Sequence, residues 1–243
     1  MTGSVHNDGA FCHHTDVKKR RWRILLGLLI VLVIAAVAAA PWAFRNYVEG
    51  APEPTLALPP GARPAGTDVN GSWTVQPGSQ AGYRAEQKLL WQTVDVNGRT
   101  SDVTGHAEVT ESRLVWAEFT VDVASIASAH HGRDDRFRGP DVMDTATYPT
   151  AQVTVSAPVD LTSVPDDGRA VEVEVPIHLT LHGVSRPASA HTTIARNGDR
   201  VDVAGAIPVR FYDYNVSPPK PFASLLAVQP VATIEFLVHL AKG

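Results

Sequence analysis

The sequence predicts an all-β fold: an antiparallel barrel or sandwich with a short helical excursion, preceded by one transmembrane helix. Three observations carry this. Rows of alternating apolar and polar residues recur from Gly71 to the C-terminus, the period of two of half-buried strands. One charged, Pro- and Gly-punctuated stretch, Val121 to Pro149, breaks the alternation, and one uninterrupted apolar run lies near the N-terminus.

Composition narrows the class. The chain has 243 residues, 44% of them hydrophobic, enough for one good core with appendages. A net charge of −4 leaves no basic footprint for nucleic acid. The single cysteine, Cys12, excludes an internal disulfide, so an exported domain must stand on strand pairing and core alone.

Residues 1–23 read as a cytoplasmic tail, polar and patternless to residue 17 and then basic at Lys18, Lys19, Arg20, Arg21 and Arg23. Residues 24–44 follow as a transmembrane helix, apolar without interruption from Ile24 to Ala40; at about 1.5 Å per residue the segment spans roughly 30 Å. Basic residues cluster before the run and only Arg45 directly follows it, so the N-terminus stays cytoplasmic and the remainder is exported to the cell envelope. A cleaved signal peptide has the same charge order, with Ala36-Val37-Ala38 or Ala38-Ala39-Ala40 as the cut. The run is longer than such a segment needs, and Pro41 follows Ala40, so an uncleaved anchor is the reading. Cys12 precedes the apolar run and reads as a free thiol.

Residues 45–70 form a Pro-rich linker, with prolines at 52, 54, 59, 60 and 64, predicted to be extended and to space the folded part from the membrane. The barrel domain covers 71–243. Its strands read as Val103 to Val109, Val115 to Val123, Ala151 to Ala157, Val171 to Leu181, Val201 to Val209 and Ile234 to Leu240, with turn signals at Asn97-Gly98, Asp166-Asp167-Gly168 and Asn197-Gly198-Asp199. Seven or eight such strands make a barrel or a sandwich. The inward rows are mostly Val, Ala and Gly, which fill little volume; a closed sheet would leave space for a slender apolar molecule, while a sandwich would pack them tightly. Between the strands, Arg133, Arg136 and Arg138 interleave with Asp134, Asp135, Asp141 and Asp144 around Phe137 and Val142, the pattern of a short helix or two closing one end of a sheet.

Three stretches resemble one family. The run Arg133 to Asp144 followed by Tyr148-Pro149, the hairpin Leu179-Thr180-Leu181-His182-Gly183-Val184-Ser185-Arg186-Pro187, and Asp213-Tyr214-Asn215 occur in the order found in the YceI-like family of polyisoprenoid-binding proteins. The resemblance covers about Ser72 to Lys242. It implies an extended lipocalin-like barrel that holds a polyprenyl chain or prenylated quinone, with no catalysis and no cofactor besides that lipid. The chain departs from the family at Val142-Met143, where Phe-Phe is common, at Phe137, where Leu is, and at Asn215, where Gly is; Asn tolerates the left-handed backbone a glycine adopts.

On this reading the lipid touches inward or mouth residues Phe119, Val121, Val153, Val155, Ile177, Leu179 and Phe236, with Phe137 and Met143 from the covering segment and Tyr83 and Phe222 as weaker candidates. Arg136 or Arg138 offers an anionic headgroup a partner, against the alternative that the Arg and Asp residues pair internally and pin a loop. His130-His131 with Asp134 lacks the spacing of a metal site, and no metal is expected. His178 and His182 lie roughly 13 Å apart along one strand and share no ion; a polar-face position and a turn hydrogen bond are their expected roles. Ser125 or Ser128 with His130 would be a hydrolase constellation, but the sequence has no nucleophile elbow and no βαβ context for it. The function classes are therefore a membrane-anchored lipid-binding or transport protein, a non-enzymatic envelope interaction module with a filled barrel, and, last, a serine hydrolase.

Overall fold

A computed structural model describes residues 14–43, 53–89, 92–217 and 226–243. They fall into two units, divided between Val48 and Glu49. The first contains α1 (His14–Ala43), whose Arg20–Ala40 stretch is long and apolar enough to cross a membrane. It starts ahead of the predicted residue 24: the basic residues are good helix formers and carry the helix back into the tail. Phe44, the predicted last residue, lies outside the described residues.

The second unit is built from β1 (Gly71–Val75), β2 (Gln80–Leu89), β3 (Gln92–Thr100), β4 (Val103–Thr110), β5 (Arg113–Asp122), β6 (Thr150–Val155), β7 (Val159–Asp160), β8 (Val171–Leu181), β9 (Val184–Asn197), β10 (Arg200–Arg210) and β11 (Leu226–Lys242). All pairings are antiparallel. Eight strands close a ring in the order β1, β4, β5, β6, β8, β9, β10, β11, and the β1–β11 pairing seals it. Strand β11 pairs with β10 along one edge and serves two ladders on the other: its last residues face β1, and its longer first part carries the β2–β3 hairpin off the ring. The register shifts between Val228 and Ala232, where Pro230 has no N–H to donate.

Two-residue turns fix the ring's register. Glu111 and Ser112 between β4 and β5, and His182 and Gly183 between β8 and β9, all have positive φ, the geometry whose twist matches paired strands. Gly168 and Gly198 also sit at positive φ in the predicted turns. Asn97-Gly98 does not turn. It lies inside β3 opposite Tyr83, where a Cβ on Gly98 would sit 2.8 Å from Tyr83 Cε1. The glycine is there for the ring.

The alternation breaks once in β5. Glu108 pairs with Trp116 and Val109 with Leu114, so Val115 is an extra residue in a bulge. Val115 therefore faces outward, 41% exposed, and Leu114 takes the inner position assigned to it. Ala157, placed at the end of the β6 row, lies beyond the strand and is exposed.

The excursion after β5 forms α2 (His131–Arg138) and a series of turns. It covers the β2–β3 hairpin and the ring end next to it. The Phe137 and Tyr83 rings stack with centroids 4.9 Å apart, Ile126 lies against Gly98, and Arg99 and Ala127 exchange backbone bonds. Val142 and Met143 are buried beneath. Asp134 pins the approach to the helix by accepting bonds from the Ser128 amide at 2.9 Å and hydroxyl at 2.6 Å.

Residues 53–70, predicted as a spacer, lie along the barrel. Glu53 bonds Asn97 and Arg99, Leu56 N–H points to Glu235, and Ala65 and Gly66 donate to Asp166 and Gly198. Extended, proline-rich chain leaves its backbone groups unpaired, and the barrel's carboxylates and turn carbonyls take them up.

Candidate functional site

The ring encloses a hollow of about 160 Å3. On the order of ten methylene-sized groups would fit in it. Its walls are the inward rows of the eight ring strands, and small residues keep it open: Ala107, Ala117 and Ala190 stand where a Leu would reach across.

Two glycines widen it further. Gly105 pairs with Phe119 and Gly205 with Phe236 across neighbouring strands. A Cβ on Gly105 would lie 2.5 Å from Phe119 Cδ1, and one on Gly205 would lie 2.5 Å from Phe236 Cζ. Each ring thus takes the space of a missing side chain on the neighbouring strand, as aromatic residues cover glycine in paired strands.

Six of the predicted contact residues line the hollow: Phe119, Val121, Val153, Val155, Ile177 and Phe236. Leu179, next in the Ile177 row, is 1% exposed and packs into the core near the cap. Phe137, Met143 and Tyr83 belong to the packed cap above the hollow and do not line it. Burial there pushes the Tyr83 phenol up to about 12, with Arg133 opposing and Asp134 adding to the rise. Phe222 lies outside the described residues.

Arg136 is exposed. Arg138 is committed to its own segment, donating to the Ile126 carbonyl at 3.1 Å and to Asp135 at 3.2 Å. The charged run thus pins a loop, and among the described residues no cation of the cap lines the hollow. The other weighed groups are similarly engaged. Ser125 shares a bond with Thr100 at 2.6 Å, and the Ser128 hydroxyl is held by Asp134. Among the described residues no cluster of three metal-ligating side chains occurs. His178 is exposed, and His182 Nδ1 meets the Tyr214 carbonyl at 3.2 Å while its ring packs on Tyr148. Asn215 stands in the left-handed region at φ 56°.

The end of the hollow away from the cap was not anticipated. There Trp73 is buried with its Nε1 donating to the Val69 carbonyl at 2.8 Å, and both side chains line the space. Arg196 lines it too through its aliphatic stem, with Nη2 bonded to the Thr67 carbonyl. The inward parity of Ile194 extends by one step to Arg196, and this is the signal that could have found it. Thr192, the other polar lining residue, has its hydroxyl donated to the Val173 carbonyl at 2.6 Å.

Comparison with known proteins follows the same geometry. The family model of the YceI-like domain matches residues 73–240. Protein YceI of Escherichia coli O157:H7 and that of Shigella boydii serotype 4 (strain Sb227) are each 34% identical over 80 residues, 33% of this chain. The match spans 38% of the length of those relatives. Among solved structures, a polyisoprenoid binding domain from Saccharophagus degradans, implicated in plant cell wall breakdown, superposes with a TM-score of 0.55 at 21% identity, covering 70% of this chain and 98% of that one. BcnA of Burkholderia cenocepacia gives 0.53 at 23% identity, covering 68% and 98%. At these identities the likeness is one of fold.

Proposed function

Since the chain belongs to the YceI-like domain family, we propose that it is a binding protein that holds the tail of a polyisoprenoid or prenylated-quinone lipid in its barrel, without acting on it chemically, and that α1 anchors it in a membrane. The observation that carries this is the apolar hollow held open by Gly105 under Phe119 and Gly205 under Phe236. A filled barrel needs neither glycine. The Saccharophagus degradans domain of the same fold is described as polyisoprenoid binding, which supports the same class of ligand here.

Burial supplies the affinity. About ten methylene groups at ~0.8 kcal/mol each give roughly 8 kcal/mol, against an association cost of at least about 4 kcal/mol. The remainder corresponds to roughly millimolar binding, so a chain that only just fills the hollow is held weakly without a further contact. The basic residues before the apolar part of α1 favour a cytoplasmic N-terminus and an extracytoplasmic barrel.

Extraction of the full-length chain, purified in detergent, with organic solvent followed by mass spectrometry tests the reading. An isoprenoid lipid near one per chain is expected. No copurifying lipid together with no uptake of added farnesol would replace the carrier with an interaction module, and labelling by a fluorophosphonate probe would overturn the absence of catalysis.

A further inference from the structure

Resting on the lipid-binding reading, we propose that the end of the hollow opposite the cap is the headgroup site, and that Arg196 there binds the phosphate of a singly tailed anionic lipid. Among the described residues, Thr192 is the one polar side chain that lines the hollow before this end. On β9 the row runs Ala188, Ala190, Thr192, Ile194 and then Arg196, beside the turn to β10. On β11 it runs Ile234, Phe236, Val238, Leu240 and then Lys242, paired with Trp73. Val201 sits between the two rows, paired with Arg196 on one side and Leu240 on the other. Two rows therefore finish in a cation at the same end of the barrel, Arg196 at the hollow and Lys242 exposed outside it.

The chemistry of these groups suits an anion. Among the described residues, the Arg196 guanidinium makes one hydrogen bond, from Nη2 to the Thr67 carbonyl, and that partner is neutral. Four N–H donors in a planar fork remain, the geometry that grips phosphate oxygens in pairs. Lys242 Nζ lies 5.7 Å from the centre of the Trp73 ring and donates to the Asn70 carbonyl at 2.7 Å, and Asp68 shares its field. Asp68, on the same stretch, is occupied by the Asn70 side-chain amide at 3.1 Å and amide N–H at 3.3 Å. Among the described residues no competing polar group lines the hollow, because the Thr192 hydroxyl is spent on Val173. A ligand with one apolar end and one anionic end has a single favourable orientation: tail toward Phe119 and Phe236, head at Arg196.

This reverses the assignment of the head to Arg136 or Arg138 at the cap end. Arg138 is already tied to Asp135 and Ile126, and neither arginine lines the hollow.

The test compares farnesyl phosphate with farnesol on the full-length chain in detergent, by competition against a fluorescent farnesyl probe, for the wild type, Arg196→Met and Arg136→Met/Arg138→Met. Methionine keeps the apolar stem and removes the cation, and thermal melting checks that each variant is folded. Expected is at least tenfold preference for the phosphate in the wild type and in the cap-end double variant. In Arg196→Met the preference for the phosphate over farnesol collapses to within about twofold. Equal wild-type affinities for the two ligands, or a preference that survives in Arg196→Met, would overturn the headgroup site and leave the lipid reading standing. Binding of neither ligand would overturn both. Inorganic phosphate at millimolar concentration is expected to leave the probe bound; displacement by it would make Arg196 a site for free anions and refute the lipid assignment.

Discussion

Phe236 of β11 lies across Gly205 of β10, so that the largest side chain in one wall of the barrel occupies the place of a missing side chain in the next. The ring covers the neighbouring backbone and the middle of the barrel stays open. A Cβ at 205 would stand 2.5 Å from Phe236 Cζ and 2.6 Å from the His191 carbonyl oxygen. The ring can swing inward, but the carbonyl belongs to the β9 ladder and cannot. Gly205→Ala is expected to cost about 1–3 kcal/mol, the range for overpacking, and to turn Phe236 into the hollow. Urea unfolding reads the first effect, and loss of copurifying lipid reads the second.

Tyr83 gives the cap a signature in alkali. Its phenol is pushed up to about 12, chiefly by burial, while an unfolded tyrosine ionises near 10. Between these two values the unfolded chain loses a proton that the folded chain keeps, so stability is intact below about pH 10 and falls as pH rises toward 12. Two units correspond to about 2–3 kcal/mol over that window. Tyr214 is also pushed up, by burial first and then by Asp213, so the wild type must be compared with Tyr83→Phe, which is expected to lose less stability between pH 9 and 11. Absorbance of the phenolate near 295 nm gives the native titration directly. A Tyr83 that ionises near 10 in the folded chain would mean that Phe137 does not cover it.

The outer face of the same sheet holds a buried carboxylate. Glu235, with 6% of its side chain exposed, accepts from Arg84 and from Arg99, the latter at 3.2 Å, and Arg99 also pairs with the exposed Glu53 at 2.9 Å. Removing Glu235 leaves two guanidinium groups in a half-closed site, so Glu235→Ala is expected to cost about 3–5 kcal/mol. Glu53→Ala removes a partner that water can replace, and a loss below about 1 kcal/mol is expected. Leu56 N–H points to the Glu235 carboxylate, so hydrogen exchange at Leu56 should accelerate in Glu235→Ala. Unchanged exchange there would mean that residues 53–57 are held by something other than this pair.

Much of the barrel was legible because a period of two is hard to disguise: the rows ending at Val109, Leu181, Val209 and Leu240 all face inward as their parity requires. The misreadings have local causes. One inserted residue, Val115, shifts the phase of its neighbours without altering composition. Gly98 beside Asn97 has the letters of a turn, and only the partner strand reveals that Tyr83 needs the space. Segment 53–70 has the composition of a spacer, and composition says nothing about which carboxylates its amides meet. The far end of the hollow was readable but unread: Arg196 and Lys242 continue apolar rows with the correct parity, and a charged residue at such a position was not followed inward.

Ala190 separates a carrier from a scaffold most cleanly. It is 3% exposed, lines the hollow from β9 and pairs with Val175 on β8. Ala190→Leu projects three more carbon atoms into space that holds no protein atoms. Filling an apolar void restores packing contacts, and the burial of about three carbons gives up to about 2 kcal/mol before strain, so the variant is expected to melt at or above the wild-type temperature. A protein whose role is an outer-surface interaction would work as well or better with this change. One whose role is to hold a tail would lose it, because roughly a third of the hollow is then occupied, taking about three of about ten methylene-sized places. Equal or higher stability with loss of farnesol binding is the expected pair of results. A stabilised Ala190→Leu that still binds farnesol with wild-type affinity would show that the tail lies elsewhere on the molecule.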